Sequence, residues 1–435
     1  MQLSRYIKAY PCEESPGHLL LFSTRTVSKI LLKKETYRTI EEGGRLDPSD
    51  EALLAKLGIL VRDREEEKRD VLSFFDRLNT KNTGLSIMAA LNLDCNFACT
   101  YCYEGEMKGK FYMSDETADC LVDFVKENFP EQKKSLLIDF YGGEPLLSVG
   151  LIKRISRALK SFTETRGADY SFTLVTNGSL FTRQIAEELV PLGLTGVKIT
   201  LDGPAEVHNR CRPFKSGRGS FDTIVANIKE TCDLVKIGVS GNFQRDNHKK
   251  FPSLLDYLTE EGLTPGRIAQ VKFDPVMKQP DGDPSPDCTG GCASINEPWL
   301  SDASLRLREE ILKRGYRTQK LMPITCMIES ADSYVVNFDG AIYKCPGFIG
   351  KKGYEAGDLR RGVSGYASIY KLGVWKNDEC SRCEYLPLCF GGCRYMKFVR
   401  DGNIDAVECQ KAYLDASLET LVKQDVKYKP KADTR

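Results

Sequence analysis

Between Leu85 and Val276, short apolar runs alternate with longer stretches whose apolar positions recur at helical spacing. The runs are Leu85 to Leu93, Leu136 to Tyr141, Phe172 to Thr176, Val197 to Leu201, Val235 to Phe243 and Ala269 to Val276. Strand-length runs separated by helix-length patterns predict parallel strands joined by helices. The first helix illustrates the reading. Ser114 is placed to cap it, Asp115 and Glu116 follow, and Ala118, Leu121, Val122, Val125 and Phe129 fall on one face, with Pro130 just past the end. Six such units are too few for a complete eight-fold barrel.

The N-terminal stretch reads differently. His18 to Ser23 and Thr26 to Leu32 predict two short strands, Lys33 to Glu42 and Pro48 to Leu57 helices, and Ile59 to Arg62 a further strand. The charge run Arg62 to Asp70 predicts a solvated helix or linker. At 435 residues the chain is long enough for two to four domains of roughly 100 to 200 residues. Sixty-two Lys plus Arg against sixty-one Asp plus Glu give a net charge of +1, without the basic footprint of a nucleic-acid binder. No apolar run approaches the ~20 residues that span a bilayer, and the opening Met1 to Tyr6 lacks a secretory apolar core. A cytoplasmic protein is therefore expected, without membrane or nucleic-acid partners.

The sixteen cysteines change the picture, because they cluster in ligand-like spacings rather than in the framework of a short secreted chain. Cys95, Cys99 and Cys102 follow the first strand in the spacing C-x3-C-x2-C, with Tyr101 before the last. Three thiolates could bind zinc, or three irons of a [4Fe-4S] cube with the fourth iron bare. The motif resembles the signature of the radical S-adenosylmethionine (SAM) superfamily. That resemblance implies a partial (β/α)6 TIM-like barrel, SAM chelated by the open iron, a 5'-deoxyadenosyl radical and an oxygen-poor setting. Tyr141-Gly142-Gly143-Glu144-Pro145 resembles the family's GGEP motif, in which glycines permit close approach and Glu144 can accept a charge-assisted bond from the SAM amine. Thr176-Asn177-Gly178 resembles the segment beside the SAM ribose. Thr200-Leu201-Asp202-Gly203-Pro204, then His208-Asn209 and Arg212-Pro213, resembles the S-L-D-G, H-D and R-P stretch of the peptide-modifying branch. Thr200 keeps the usual hydroxyl, whereas Asn209 removes the usual charge, so no acid role transfers to it. The implied SAM contacts are Tyr101, Gly142, Gly143, Glu144, Asn177, Thr200 and Arg212, the last pairing with the SAM carboxylate.

A second array follows: Cys326, Cys345, then Cys380-x2-Cys383-x5-Cys389-x3-Cys393, then Cys409. It resembles the SPASM domain, which implies two auxiliary [4Fe-4S] clusters and three in all. By that resemblance Cys380, Cys383, Cys389 and Cys409 hold an outer cluster, and Cys326, Cys345 and Cys393 an inner one. The inner set has three obvious ligands, so the site is either open or completed by a distant residue. Cys288 and Cys292, in the Pro- and Gly-rich loop Asp281 to Ser294, are candidates for the fourth ligand or for substrate-site thiols. Cys12, Cys120, Cys211 and Cys232 read as packing residues.

The expected organisation is a winged-helix-like peptide-recognition domain over 1–78, a radical SAM partial barrel over 79–300, a connecting helix over 301–325, a SPASM domain over 326–425 and a tail over 426–435. A merely structural cap is the alternative for 1–78. The resemblance as a whole implies a maturase of ribosomally made peptides, closest in detail to geopeptide-type enzymes, that forms a thioether, carbon-carbon or ether cross-link. Residues 1–78 would capture a leader peptide as an added strand, and a flavodoxin or ferredoxin would supply electrons. The rivals are an anaerobic sulfatase-maturating enzyme, whose branch usually begins near the cysteine loop, and a non-catalytic iron-sulfur carrier or scaffold, which would not need the GGEP and TNG elements. The catalytic base is not legible. Asp202 and Asp274 sit at strand ends as candidates beside a plain hydrogen-bonding role.

Overall fold

The computed structural model describes residues 1–435 apart from 103, 278–291, 293, 324–325 and 429–435. The N-terminal unit contains β1 (Gln2–Leu3), β2 (Ile7–Pro11), β3 (His18–Ser23), β4 (Lys29–Lys33), α1 (Lys34–Glu41), α2 (Pro48–Lys56), β5 (Leu60–Val61), α3 (Arg64–Leu72) and α4 (Phe74–Lys81). Strands β2, β3 and β4 form one antiparallel sheet, while β5 pairs with β1 instead. Three expectations change here. The strand read from Thr26 begins at Lys29, because Ser23 N–H donates to Ser28 O and closes a hairpin turn with Val27 at φ 54°. Strand β2 was not foreseen. The charge run is the helix α3, capped by Asp63, yet it is not wholly solvated: Glu67 is buried and accepts from Ser4 Oγ at 2.5 Å and Arg5 N at 3.1 Å.

The middle of the chain runs β6 (Gly84–Ala90), α5 (Asp115–Glu127), β7 (Ser135–Tyr141), α6 (Val149–Thr165), β8 (Asp169–Thr176), α7 (Arg183–Leu189), β9 (Leu194–Thr200), α8 (Ala205–Cys211), α9 (Phe221–Thr231), β10 (Lys236–Phe243), α10 (Phe251–Glu260), β11 (Ile268–Pro275) and α11 (Pro298–Lys313). The six strands lie in chain order and all neighbouring pairs are parallel. This is the partial barrel expected from the six apolar runs. Ser114 caps α5 by accepting from Thr117 N. Alternate strand residues such as Ile87, Ile138, Phe140, Phe172, Leu174, Ile199 and Ile237 are fully buried with helix residues Leu121, Val125, Ile152 and Ile155. The opposite parity carries Lys198, Thr200, Ser240 and Asn242, which line a cleft inside the barrel. Helices α4 and α11 straddle residues 78 and 300, so neither boundary read from the sequence falls between elements.

The C-terminal part comprises β12 (Ser333–Val336), β13 (Ala341–Tyr343), β14 (Gly357–Asp358), β15 (Gly362–Val363), α12 (Tyr366–Ile369), α13 (Asp378–Arg382), α14 (Leu386–Cys389), α15 (Arg394–Asp401) and α16 (Lys411–Lys427). Strand β12 pairs in parallel with β6, and β13 to β15 continue the same sheet to ten strands. The second cysteine array is thereby built against the strand that leads into the first. The N-terminal sheet in turn packs on the outer cysteine block: Tyr10, Leu20 and Phe22 share a core with Tyr385, Leu388, Leu414 and Val422. Lys8 pairs with Glu384 at 2.7 Å and Lys29 with Asp425 at 2.8 Å. Among the described residues no helix is long and apolar enough to cross a membrane.

Candidate active site

Cys95, Cys99 and Cys102 sit on the loop after β6, at the C-terminal end of the barrel strands. Two chain segments hold this loop. Ala98 N donates to Pro213 O, Thr100 N to Cys211 O and Lys215 N to Asn96 O, so the excursion after β9 pairs with it. On the other side Gly143 N donates to Asn92 O at 3.0 Å and Glu144 N to Asp94 O at 2.8 Å. A Cβ on Gly142 would lie 2.3 Å from Asn92 O, and one on Gly143 would lie 2.2 Å from Asp94 O. The two glycines line the cleft, but the close approach that requires them is to the cysteine loop itself.

Glu144 is buried and does not line the cleft. Its carboxylate accepts from Leu146 N (3.0 Å), Thr176 Oγ1 (2.7 Å) and Asn177 N (2.8 Å), which fixes the turn after β8. Three bonds within the fold thus hold this carboxylate between the cysteine loop and the end of β8. Asn177 is tied to the cysteine loop: its Nδ2 donates to Asn96 Oδ1 at 2.7 Å and lies 3.8 Å from Cys95 Sγ. Thr200 lines the cleft, its hydroxyl 3.2 Å from that of Ser240.

Tyr101 is a hub. Its hydroxyl donates to Asp202 Oδ2 and accepts from Arg212 Nη1 at 2.8 Å and Asn242 Nδ2 at 3.0 Å. Asp202 Oδ1 accepts from Asn242 N at 2.6 Å, and burial holds this carboxyl above its ordinary range. Asp202 is therefore engaged on both oxygens, while Asp274 pairs with Lys272 at 2.9 Å and lines the cleft. Arg212 is braced through His208. Ser220 Oγ donates to Arg212 O, so it accepts from His208 Nε2–H, and His208 Nδ1 accepts from Asp202 N. Those partners select the neutral Nε2–H tautomer, and burial together with the Arg212 charge pushes the imidazole well below its usual range. Asn209 Oδ1 accepts from Ser220 N and Phe221 N at the start of α9, a structural role that an amide fills without charge.

Reading the sequence missed Glu104 and Lys108. Both line the cleft with the three cysteines. Burial pushes the Glu104 carboxyl up to about 7 against the pull of Lys108, and its Oε1 is buried without a partner. Arg212 Nε is likewise buried and unpartnered. An unpartnered guanidinium N–H, an unpartnered carboxyl oxygen and three thiols in one cleft fit an iron cluster with a zwitterionic amino-acid ligand. Burial pushes the Cys95 thiol up to about 11 and also raises Cys99, so a bound metal is what would favour their thiolates.

The second array separates into two groups. Cys393 lies close enough to act electrostatically on Cys326 and Cys345, and Cys409 on Cys380, Cys383 and Cys389, while burial raises Cys389 to about 12. Gly392 makes the outer group possible, since a Cβ there would lie 2.0 Å from Glu408 O, and Glu408 N donates to Gly391 O beside Cys409. Glu329 joins the inner group. It accepts from Arg394 Nη2 at 2.6 Å, from Trp375 Nε1 at 3.0 Å and from Gly373 N, linking the segments that carry Cys326 and Cys393. Among the described residues no group of His, Cys, Asp and Glu closes on a single metal ion. Cys292 is buried with Phe243, Leu300 and Met396, and Cys288 lies outside the described residues. Cys211 is buried, and Cys120 and Cys232 pack against the barrel core, whereas Cys12 is half-buried.

Residues 92–258 match the Radical SAM superfamily. The chain is 32% identical over 353 residues to a serine-type anaerobic sulfatase-maturating enzyme of Bacteroides thetaiotaomicron, covering 71% of this chain and 82% of that protein. It is 22% identical over 369 residues to the radical SAM cyclopropyl synthase TigE of Paramaledivibacter caminithermalis, covering 78% and 73%. Its fold matches Streptococcus suis SuiB bound to precursor peptide SuiA with a TM-score of 0.55 at 14% identity, over 94% of this chain and 98% of that one.

Proposed function

From the premise that this chain belongs to the radical SAM superfamily, we propose that it is a maturase that cross-links a ribosomally made precursor peptide. Cys95, Cys99 and Cys102 would hold the family's [4Fe-4S] cluster, with Cys326, Cys345 and Cys393, and Cys380, Cys383, Cys389 and Cys409, holding an inner and an outer auxiliary cluster. When bound, the first cluster and SAM supply a one-electron cleavage that yields a radical able to abstract hydrogen from carbon. Arg212, through its free Nε, orients the carboxylate of the SAM amino-acid end, and Tyr101 and His208 hold Arg212 in place. Gly142, Gly143 and Glu144 fix the cysteine loop, Asn177 ties that loop to the end of β8, and Thr200 forms part of the cleft wall.

The observation that carries the peptide reading is the N-terminal three-stranded sheet, seated on the outer cysteine block through Tyr10, Leu20 and Phe22. Its outer strands β2 and β4 each pair on one side only, which suits β-strand addition by a leader peptide. Under this reading residues 1–78 recognise the leader and a flavodoxin or ferredoxin supplies electrons. The test is anaerobic incubation of the iron-loaded protein with SAM, dithionite and the short peptide encoded beside the gene. Release of 5'-deoxyadenosine with a peptide lighter by two hydrogens and unreactive toward a hydrazide supports the reading, and release without any change in the peptide contradicts it.

Sulfatase maturation is the second reading, favoured by the 32% identity to the serine-type enzyme. It requires an aldehyde in the product, which a hydrazide probe detects and a cross-link lacks.

A further inference from the structure

A groove of about 460 Å³ lies between the edge strand β11, helices α11 and α16, and residues 318–323. Phe273, Leu307, Leu321, Met322, Leu388 and Leu414 make its walls largely apolar. Two observations give it direction. At one end it shares Asp274 and Pro275 with the cysteine cleft. At the other, Leu321, Leu388 and Leu414 belong to the core on which Tyr10, Leu20 and Phe22 of the N-terminal sheet rest. The groove therefore borders both the reaction cleft and the core beneath the N-terminal sheet.

Its inner wall also has main-chain hydrogen-bonding capacity. Strand β11 closes the ten-stranded sheet on this side, and Val271 N donates to Arg317 O at 2.8 Å. By strand alternation the Phe273 N–H faces the same outer edge, beyond that bond, where the groove begins. Pro275 ends the donor row. Of the charged residues that line it, Lys272 pairs with Asp274 and Arg308 with Asp425 at 2.5 Å, and Lys320 adds a cation on residues 318–323.

We infer that this groove seats an extended, largely apolar segment of the precursor peptide, the part between its leader and the residue being modified. The inference rests on the peptide-maturase reading. Its chemistry is that of strand addition, with backbone bonds to the β11 edge and apolar side chains in the groove. Continuity at both ends singles out the substrate as occupant, because a chain held on the N-terminal sheet and reacting in the cleft can lie along this route.

Two variants of the full-length, iron-loaded enzyme test it. Ser304 lines the groove from α11 and is half-buried, so Ser304→Trp fills the groove without removing a core side chain. KM for the gene-adjacent peptide is expected to rise at least tenfold with kcat changed less than twofold. Met322 is 53% exposed at the rim, so a photo-crosslinking amino acid there leaves the fold alone. It is expected to capture the peptide between leader and modified residue, whereas the same group at Ala158, exposed on α6 outside the barrel, captures none. Unchanged KM in Ser304→Trp, or capture at Met322 only of this chain or a second copy, overturns the inference. If the Trp variant loses iron, the Met322 capture decides. Wild-type enzyme that cleaves SAM but leaves the peptide unaltered strikes the function itself, whereas turnover with unchanged KM strikes the groove alone.

Discussion

Arg212 Nη1 donates to the Tyr101 hydroxyl across 2.8 Å, a side-chain bond that adds to the backbone links between the cysteine loop and the C-terminal end of α8. The same hydroxyl donates to Asp202, so removing it loosens three groups at once. Tyr101→Phe is expected to weaken SAM binding about tenfold, the loss of roughly 1.4 kcal/mol from one hydrogen bond to a charged group. Arg212→Lys is expected to cost more, because an ammonium cannot bond Tyr101 and present a second fixed N–H to a carboxylate. Anaerobic equilibrium dialysis at matched iron content checks both.

Gly143→Ala would put a methyl 2.2 Å from Asp94 O, where backbone and not a flexible side chain must move. The expected outcome is loss of the cluster on Cys95, Cys99 and Cys102 with retention of iron in the C-terminal array. Iron and sulfide analysis together with electron paramagnetic resonance of the reduced protein reads this. Full iron loading in the alanine variant would contradict the stated reason for the glycine.

The buried Arg394–Glu329 pair joins the chain around Cys393 to that around Cys326, and both side chains are almost fully buried. Glu329→Gln leaves an uncompensated guanidinium, a change that typically costs about 3–5 kcal/mol. Its melting temperature is expected to fall by several degrees, with iron lost from the inner group before the outer one.

His208 gives stability a pH dependence of known sign. Its folded pKa lies well below the unfolded value near 6.5, so the unfolded chain binds the extra proton as pH falls through that range. The stability it contributes is present above about 6.5 and declines at up to about 1.4 kcal/mol per pH unit below it. Between pH 7.5 and 5.5 the melting temperature of the iron-loaded wild type is expected to drop further than that of His208→Gln measured in parallel.

The six barrel strands were legible because each is an apolar run bounded by turns, and helix α5 because Ser114 and its apolar face agree. Strand β2 was not, since Ile7-Lys8-Ala9-Tyr10-Pro11 has no long apolar run and gains its burial from Tyr385 and α16. The parallel pairing of β12 with β6 spans some 250 residues and leaves no local trace. Cysteine spacing announced both arrays. Glu104, Lys108 and Asn242 were invisible because isolated polar residues resemble solvated ones until the fold buries them in one cleft. Glu144 shows the opposite case: the motif was plain, but its carboxylate braces the turn after β8 and does not line the cleft.

The most direct test is the mass of the gene-adjacent peptide after anaerobic co-expression, followed by hydrazide labelling and fragmentation. Peptide maturation requires a loss of two hydrogens, no aldehyde, and fragmentation suppressed between two residues. An unchanged mass, or a hydrazide-reactive product, would contradict it.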